Sequence, residues 1–364
     1  MDGVGSSHRD EREETVFFTD RDTGLRGITV LDDPRLGPSV GACRSRPYIE
    51  EERALADAIR QARTTTAKAL IAGLPVAGGC TVLLSNSSIG IRAASPMRAL
   101  GRAVDELDGR FYLMPDLLGD LNDMDQAADS TAHLLGREGD MDLDAVEATV
   151  IGLRIGIETA VRRKLGRDSL MGVRIGIIGL GSIGFRLAEL LRQEGAKLTV
   201  ADRDPRRTER AVGNLGITCV ATEEIIHLDM DVLAPTAAKD TIDDGILSHL
   251  RCQILAGAVD DPLQSPALGQ ALHDRGILYA PDTIISAGGL ISLVQPLLAD
   301  GRTATEHQVS RALLADLEAI GSRLDAVIDR ATKESLPTAV IADRMAEEAR
   351  SERLGAARPR SLAS

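Results

Sequence analysis

Apolar and polar positions follow two different periods along this chain, and the changes of period mark its elements. From Thr15 onward, TVFFTD and LRGITVLDD carry the short apolar runs of paired strands. In IEEERALADAIRQARTTTAKALIAG the apolar residues fall three and four apart, the spacing of a helix that covers a core with one face. CTVLLS reads as the next strand, SPMRALGRAVDELDG as a helix and RFYLMPD as a further strand. Together they predict an α/β unit that ends between Glu138 and Asp144, where REGDMDLD interrupts the pattern. Residues 1–14, polar, charged and without period, are expected to be disordered.

A long helix, DAVEATVIGLRIGIETAVRRKLG, follows, with Thr149, Gly152 and Gly156 placing small residues on one face. It leads into VRIGIIGLGSIGFRLAELLRQEGAKLTVADRD: a strand, then G-x-G-x-x-G as Gly179, Gly181 and Gly184, an amphipathic helix, and a second strand ending at Asp202. The acid stands near the ~20-residue spacing of a dinucleotide-binding fingerprint. Glycines let the backbone turn tightly and approach a pyrophosphate, which sits on the N–H groups opening the helix, here at Ser182 and Ile183. Asp202 is placed to accept hydrogen bonds from the adenine ribose, which favours NAD because a 2′-phosphate would meet a carboxylate. Arg203, Arg206 and Arg207 follow at once and are the residues that would greet such a phosphate. DVLAPT, QILAGAV and ILYAPDTII continue as strands alternating with helices, so the segment predicts one doubly wound domain. From Gly289 the chain reads as helical, and RLGAARPRSLAS as a frayed tail.

Composition narrows the function. At 364 residues and 43% hydrophobic content the chain is long enough for two cores, and a net charge of −13 argues against a nucleic-acid partner. No apolar run approaches the roughly 20 residues needed to cross a bilayer, and MDGVGSSHRDEREE has no apolar core of a signal peptide, so a cytoplasmic protein is expected. Cys43, Cys80, Cys219 and Cys252 form no C-x-x-C pair and the histidines no H-E-x-x-H cluster, so no metal site is expected. With no Trp, the cores must be built from Ala, Leu, Ile and Val.

The stretches TGLRGITVLDDPRLGPSVGA, ARTTTAKALIAGL, EGAKLTVADRD, HDRGILYAPDTIISAGGLISL and TAVIADRMAEE occur in this order between about Thr15 and Glu348. They resemble the Glu/Leu/Phe/Val amino-acid dehydrogenases, most closely the leucine, valine and phenylalanine dehydrogenase branch. The resemblance implies a two-domain α/β enzyme that uses NAD to interconvert an amino acid with a 2-oxo acid and ammonia. It implies a substrate and dimerisation domain over 15–142, a Rossmann domain over 143–335, and a cleft between them for a small amino acid or imine. It further implies a helix over 336–352 returning to the first domain, a tail over 353–364, and a homo-oligomer.

Carried over by residue, Lys68 matches the lysine that holds the substrate carboxylate, and Asp116 the aspartate that takes and returns protons at the substrate nitrogen. Thr149 matches a threonine near the nicotinamide. Gly179, Gly181, Gly184 and Asp202, with Ser182, Ile183, Arg203 and Ala237, form the implied cofactor site. The substrate shell departs from the pattern. In LPVAGGCTVLL, Cys80 stands where the family carries its catalytic lysine; beside Gly41, Ala42 replaces a second glycine; Lys239 replaces a glycine, and Asp261 and Ser286 replace asparagines.

A thiol cannot polarise a carbonyl as a cation does, and general acid/base assistance is typically worth ~10²–10⁴ in rate. Ordinary oxidative deamination is therefore expected to be impaired, while hydride transfer at the C–N bond of an amino acid or preformed imine keeps Lys68 and Asp116. Cys80 has three readings: a small filler, a thiolate activated by Lys68, or one half of a redox pair with Cys43. The alternative function is an inactive homologue, an NAD-binding regulatory or partner protein.

Overall fold

The charged N-terminal stretch is not wholly without order: Gly5–Arg9 forms a strand, β1, paired antiparallel with β2 (Glu13–Thr19). This corrects the expectation of disorder over 1–14. A strand edge offers backbone N–H and C=O groups that accept a partner whatever its side-chain pattern, which hydrophobic periodicity does not register. The computed structural model describes residues 5–9, 12–46, 48–84, 94–115, 121–136, 144–237, 242–259, 262–263, 265–298 and 306–357. The chain divides into two compact units, one of residues 1–142 with 346–364 and one of residues 143–345.

In the first unit, β2 pairs antiparallel with β3 (Arg26–Asp32) in unbroken register from Glu13↔Asp32 to Thr19↔Arg26. β4 (Ser39–Arg46) follows, then α1 (Glu51–Ala72), β5 (Ala77–Leu84), α2 (Ala94–Asp105), β6 (Phe111–Met114) and α3 (Leu121–Ala128). The sheet order is β1-β2-β3-β5-β4-β6, with β4 parallel to both β5 and β6. One face carries a core around Phe111, Leu31, Leu83 and Leu100, and the other packs Ile28, Val30, Cys80 and Val82 on the alanines of α1.

The second unit opens with α4 (Ala145–Leu165), whose Asp144 cap accepts a hydrogen bond from Val146 N. In order come β7 (Arg174–Ile178), α5 (Ser182–Gln193), β8 (Lys197–Ala201), α6 (Pro205–Leu215), β9 (Thr218–Cys219), α7 (Thr222–Ile225) and β10 (Met230–Pro235). α8 (Asp244–His249), β11 (Cys252–Leu255), α9 (Pro266–Asp274), β12 (Leu278–Tyr279), α10 (Asp282–Ile285), α11 (Gly288–Leu298) and α12 (Glu306–Glu334) complete it. Every pairing in the order β12-β11-β10-β7-β8-β9 is parallel, the strand order of a doubly wound dinucleotide-binding sheet.

The last helix, α13 (Thr338–Ala357), begins in the second unit and ends in the first. It runs on through Arg353–Ala357, where a frayed tail was expected. Two contacts hold that end: Leu354 packs with Ala349 on Leu36, Leu70 and Ala77, and Arg353 Nη1 donates to the Leu74 carbonyl at 2.5 Å. No described helix is long and apolar enough to cross a membrane.

Candidate functional site

The glycine fingerprint occupies the turn between β7 and α5, and its three glycines have three different neighbourhoods. Gly179 has φ 99°, the left-handed side that side chains disfavour, and a Cβ there would lie 2.0 Å from the Ala237 Cβ. A Cβ on Gly184 would lie 1.9 Å from the Gly179 carbonyl oxygen, so the third glycine lets α5 close on the turn. Gly181 is different: a Cβ there would meet only Arg207 Nη1, at 3.8 Å. The second glycine thus faces open space at the N-terminus of α5, where no side chain caps the helix and its first turn holds no acidic residue. Free N–H groups beside a backbone bare of side chain form a cradle for a pyrophosphate, so this turn fits NAD.

Asp202, at the end of β8, is held rigidly. Its Oδ2 accepts from Leu180 N at 2.6 Å, inside the glycine turn, and its Oδ1 from Asp204 N at 2.8 Å. Arg207 Nη1 stands 3.6 Å from Oδ2, on a side chain half exposed. Of the three arginines, Arg207 is thus the one beside the acid, while Arg203 is exposed. Thr236, which sequence reasoning passed over, donates from Oγ1 to the carbonyls of Ile178 and Gly179 and shapes the same turn. Its only signal was its position, straight after a strand that neighbours β7.

The small-residue face of α4 has a structural use. A Cβ on Gly152 would lie 2.9 Å from the Ile285 carbonyl oxygen, and one on Gly156 2.3 Å from Ile285 Cγ2. Thr149, buried, donates to Ala145 O at 2.8 Å, and a Cβ on Gly289 would lie 2.6 Å from its Oγ1. Ser286, in the same connection between α10 and α11, is buried and donates to Asp282 O at 2.7 Å. Thr149 and Ser286 therefore share one tightly packed seam of the second unit.

In the first unit, Gly41, Ala42 and Cys43 lie on β4, and β5 begins at Ala77, so Cys80 lies inside the strand rather than at its start. A Cβ on Gly41 would lie 1.8 Å from the Gly79 carbonyl oxygen, so the two strands touch there. The glycine pair before Cys80 serves packing on both faces. A Cβ on Gly78 would meet Ala62 O of α1 at 2.0 Å, and one on Gly79 the Phe111 ring at 2.7 Å. Gly78 N also donates to Thr66 Oγ1 at 2.8 Å, which fixes α1 and hence the half-buried Lys68 relative to β5. Tyr48 donates to Asp57 Oδ2 at 2.6 Å and Arg44 to Gln61 Oε1 at 2.7 Å, tying the end of β4 to the same helix.

Cys80 is 1% exposed, packed with Val30, Val82, Ala54, Ala58 and Ala62, and its thiol donates to Thr81 O at 3.7 Å. Cys43 pairs in register with Thr81 and borders the Phe111 core. Neighbouring positions along a strand point to opposite faces, so the two thiols lie on opposite sides of the sheet, in no position to form a disulfide. Burial pushes the other two thiols up, Cys252 to about 11. Asp116, Lys239 and Asp261 lie outside the described residues.

Comparison with known proteins agrees with this geometry. The NAD binding domain of the D-isomer specific 2-hydroxyacid dehydrogenases matches residues 154–249, the segment around the glycine turn. Leucine dehydrogenase of Geobacillus stearothermophilus is 34% identical over 338 residues, 92% of this chain and 90% of that protein. The crystal structure of L-tryptophan dehydrogenase from Nostoc punctiforme superposes with a TM-score of 0.76 at 31% identity, covering 93% of this chain and 95% of that one. Phenylalanine dehydrogenase of Bacillus thermotolerans is 31% identical over 345 residues, 93% of this chain and 88% of that protein. By sequence over nearly its whole length, and by a nucleotide turn whose glycines are each accounted for, the chain belongs to the Glu/Leu/Phe/Val amino-acid dehydrogenases and is an NAD-dependent oxidoreductase of the leucine, valine and phenylalanine dehydrogenase branch.

Proposed function

We propose that this protein catalyses hydride transfer at the C–N bond of an amino acid or a preformed imine, and that ordinary oxidative deamination is impaired in it. The observation that carries the reading is Cys80, a buried thiol among Ala54, Ala58 and Ala62 at the position where the family resemblance expects a cation. Cys80 is then a small filler rather than a nucleophile, because its thiol is 1% exposed and packed among Val30, Val82 and the alanines of α1.

Bound NAD supplies or takes the hydride. The first N–H groups of α5 and the bare Gly181 hold its pyrophosphate, and Asp202 its adenine ribose. Lys68 holds the substrate carboxylate, and Asp116 exchanges the proton at the substrate nitrogen. Asp261, a second carboxylate in the proposed shell, favours a positively charged iminium, the better hydride acceptor. None of these steps needs an activated water, which is the part of the chemistry that the family lysine serves.

The test is a screen of amino acids, 2-oxo acids with ammonia, and cyclic imines, read at the nicotinamide absorbance. NADH consumption with an imine, little turnover of leucine, valine or phenylalanine, and loss of activity in Asp116→Ala are expected. Turnover of leucine at the rate of an ordinary family member overturns the reading and makes Lys239 the first candidate for the missing cation. NADH binding with no turnover of any of these compounds points instead to a regulatory NAD-binding homologue.

A further inference from the structure

We propose that the second unit carries a binding site for a small aliphatic carboxylate, separate from the nucleotide turn. A cavity of about 280 Å³ opens between the C-terminal end of α4, α9, the start of β12, and the junction of α12 with α13. Its apolar wall includes Ile277, Ile328 and Pro337, of which Ile277 and Ile328 belong to the buried core. Its rim carries three groups that can be cationic, Arg163, Lys164 and His273.

The three are not equivalent. Arg163 is engaged by Asp325 and Asp329 of α12. Lys164 and His273, both exposed, make no side-chain hydrogen bond or ion pair with any other described residue, so the cavity lining has their donors unspent. Lys164 also lies in the last turn of α4, where a cation is favoured by the helix dipole, and that dipole already has Arg162 and Arg163. The helix end therefore does not by itself require the third charge.

The hydroxyls of the lining, Thr332 exposed and Thr338 buried, bear on what kind of anion fits. The hydroxyl of Thr332 donates to Ile328 O at 2.8 Å and that of Thr338 to Tyr279 O at 2.5 Å. Both hydroxyls are left as acceptors only, so neither offers an oxyanion a donor. An inorganic anion seated against them would lose water without gaining a hydroxyl donor. A ligand with an apolar body against Ile277 and Ile328, and a carboxylate at the rim beside Lys164 and His273, meets each surface with its own kind. The volume lies just under the usual range of ligand pockets, which excludes a nucleotide and suits an acid of a few carbons.

Topology separates this cavity from the cofactor. Gly276–Tyr279 enters the sheet at the N-terminal end of β12, whereas Gly179 leaves it at the C-terminal end of β7, and all strands between them are parallel. The two sites lie toward opposite ends of the parallel strands.

The experiment is calorimetric titration of hexanoate into the full chain saturated with NADH, with hexanol as the uncharged control. Saturable binding of hexanoate but not of hexanol is expected, weakened at least about threefold by Lys164→Ala and by His273→Ala, as for loss of an exposed ion pair. The same titration in Lys68→Ala should be unchanged, which separates this site from the proposed substrate site. The inference is overturned if hexanoate shows no saturation up to about 10 mM, if Lys164→Ala binds it as wild type does, or if Lys68→Ala alone removes binding.

Discussion

At position 80 the matter turns on volume and desolvation. Removing the sulfur from a site lined by Ala54, Ala58 and Ala62 leaves a void about the size of a methyl group, which weakens packing but removes no group from the chemistry, so Cys80→Ala should keep imine reduction unchanged. Loss of activity in that variant would make the thiol chemical after all. Cys80→Lys brings an ammonium into the same patch, where desolvation disfavours its charged form. It should restore only a small part of the ~10²–10⁴ that general acid/base assistance contributes, measured as leucine-dependent NADH formation. Asp202 and Arg207 make the second residue-scale case. In the proposed cofactor site the carboxylate would meet the ribose and disfavour a 2′-phosphate, while the guanidinium 3.6 Å away would soften that preference. NADH should bind more tightly than NADPH, and Arg207→Ala should widen the ratio by about threefold, the scale of an exposed ion pair. Nicotinamide fluorescence reads both constants against no Trp background; an unchanged ratio would remove Arg207 from the ribose end.

Among the elements, α13 depends on one buried charge. Arg350 Nη1 lies 2.8 Å from Asp33 Oδ2 and its Nη2 3.4 Å from Asp32 Oδ2, with both carboxylates fully buried. Asp33 also has φ 54°, a conformation that needs such support outside glycine. Arg350→Met would remove one partner from each buried carboxylate, leaving Asp32 with Arg12 and Asp33 with Arg35, at a cost below the ~3–5 kcal/mol of an uncompensated buried charge, read from the denaturant midpoint. Burial raises the Asp33 carboxyl, but hydrogen bonds and charge from Arg35 and Arg350 outweigh it and hold the group below its ordinary 3.8. A lowered carboxyl contributes stability in full above its unfolded value and loses it as pH falls through the folded one. Wild type should therefore lose stability as pH falls below about 4, and Arg350→Met should show a shallower slope there. Equal slopes would mean that Arg35 alone holds Asp33.

For the whole molecule, a homo-oligomer is expected. Ile49, 88% exposed, and Met171, 64% exposed, are large apolar side chains that a second copy would cover. A net charge of −13 opposes self-association, so assembly should strengthen with salt. Light scattering at micromolar protein in about 0.15 M salt should show a multimer, and a monomer there would overturn the expectation.

The nucleotide half was legible in the sequence because its chemistry is local. Gly179, Gly181, Gly184 and Asp202 sit within one strand-turn-helix-strand unit, and each glycine answers to a backbone constraint a few residues away. The pairing of β2 with β3 was readable too, since two short apolar runs rich in β-branched and aromatic residues flank one turn; its antiparallel register came from the structure. Position 80 was not. Sequence alone showed a thiol after two glycines and left three readings open, because a glycine bares the backbone equally to a ligand, a helix or a ring. Only the tertiary structure set α1 against Gly78 and Phe111 against Gly79, and turned Cys43 and Cys80 to opposite faces. The same holds for β1, for β4 and for the end of α13: a backbone edge, a central parallel strand and an ion pair between Asp33 and Arg350 are settled by partners distant in the chain, which no local period encodes.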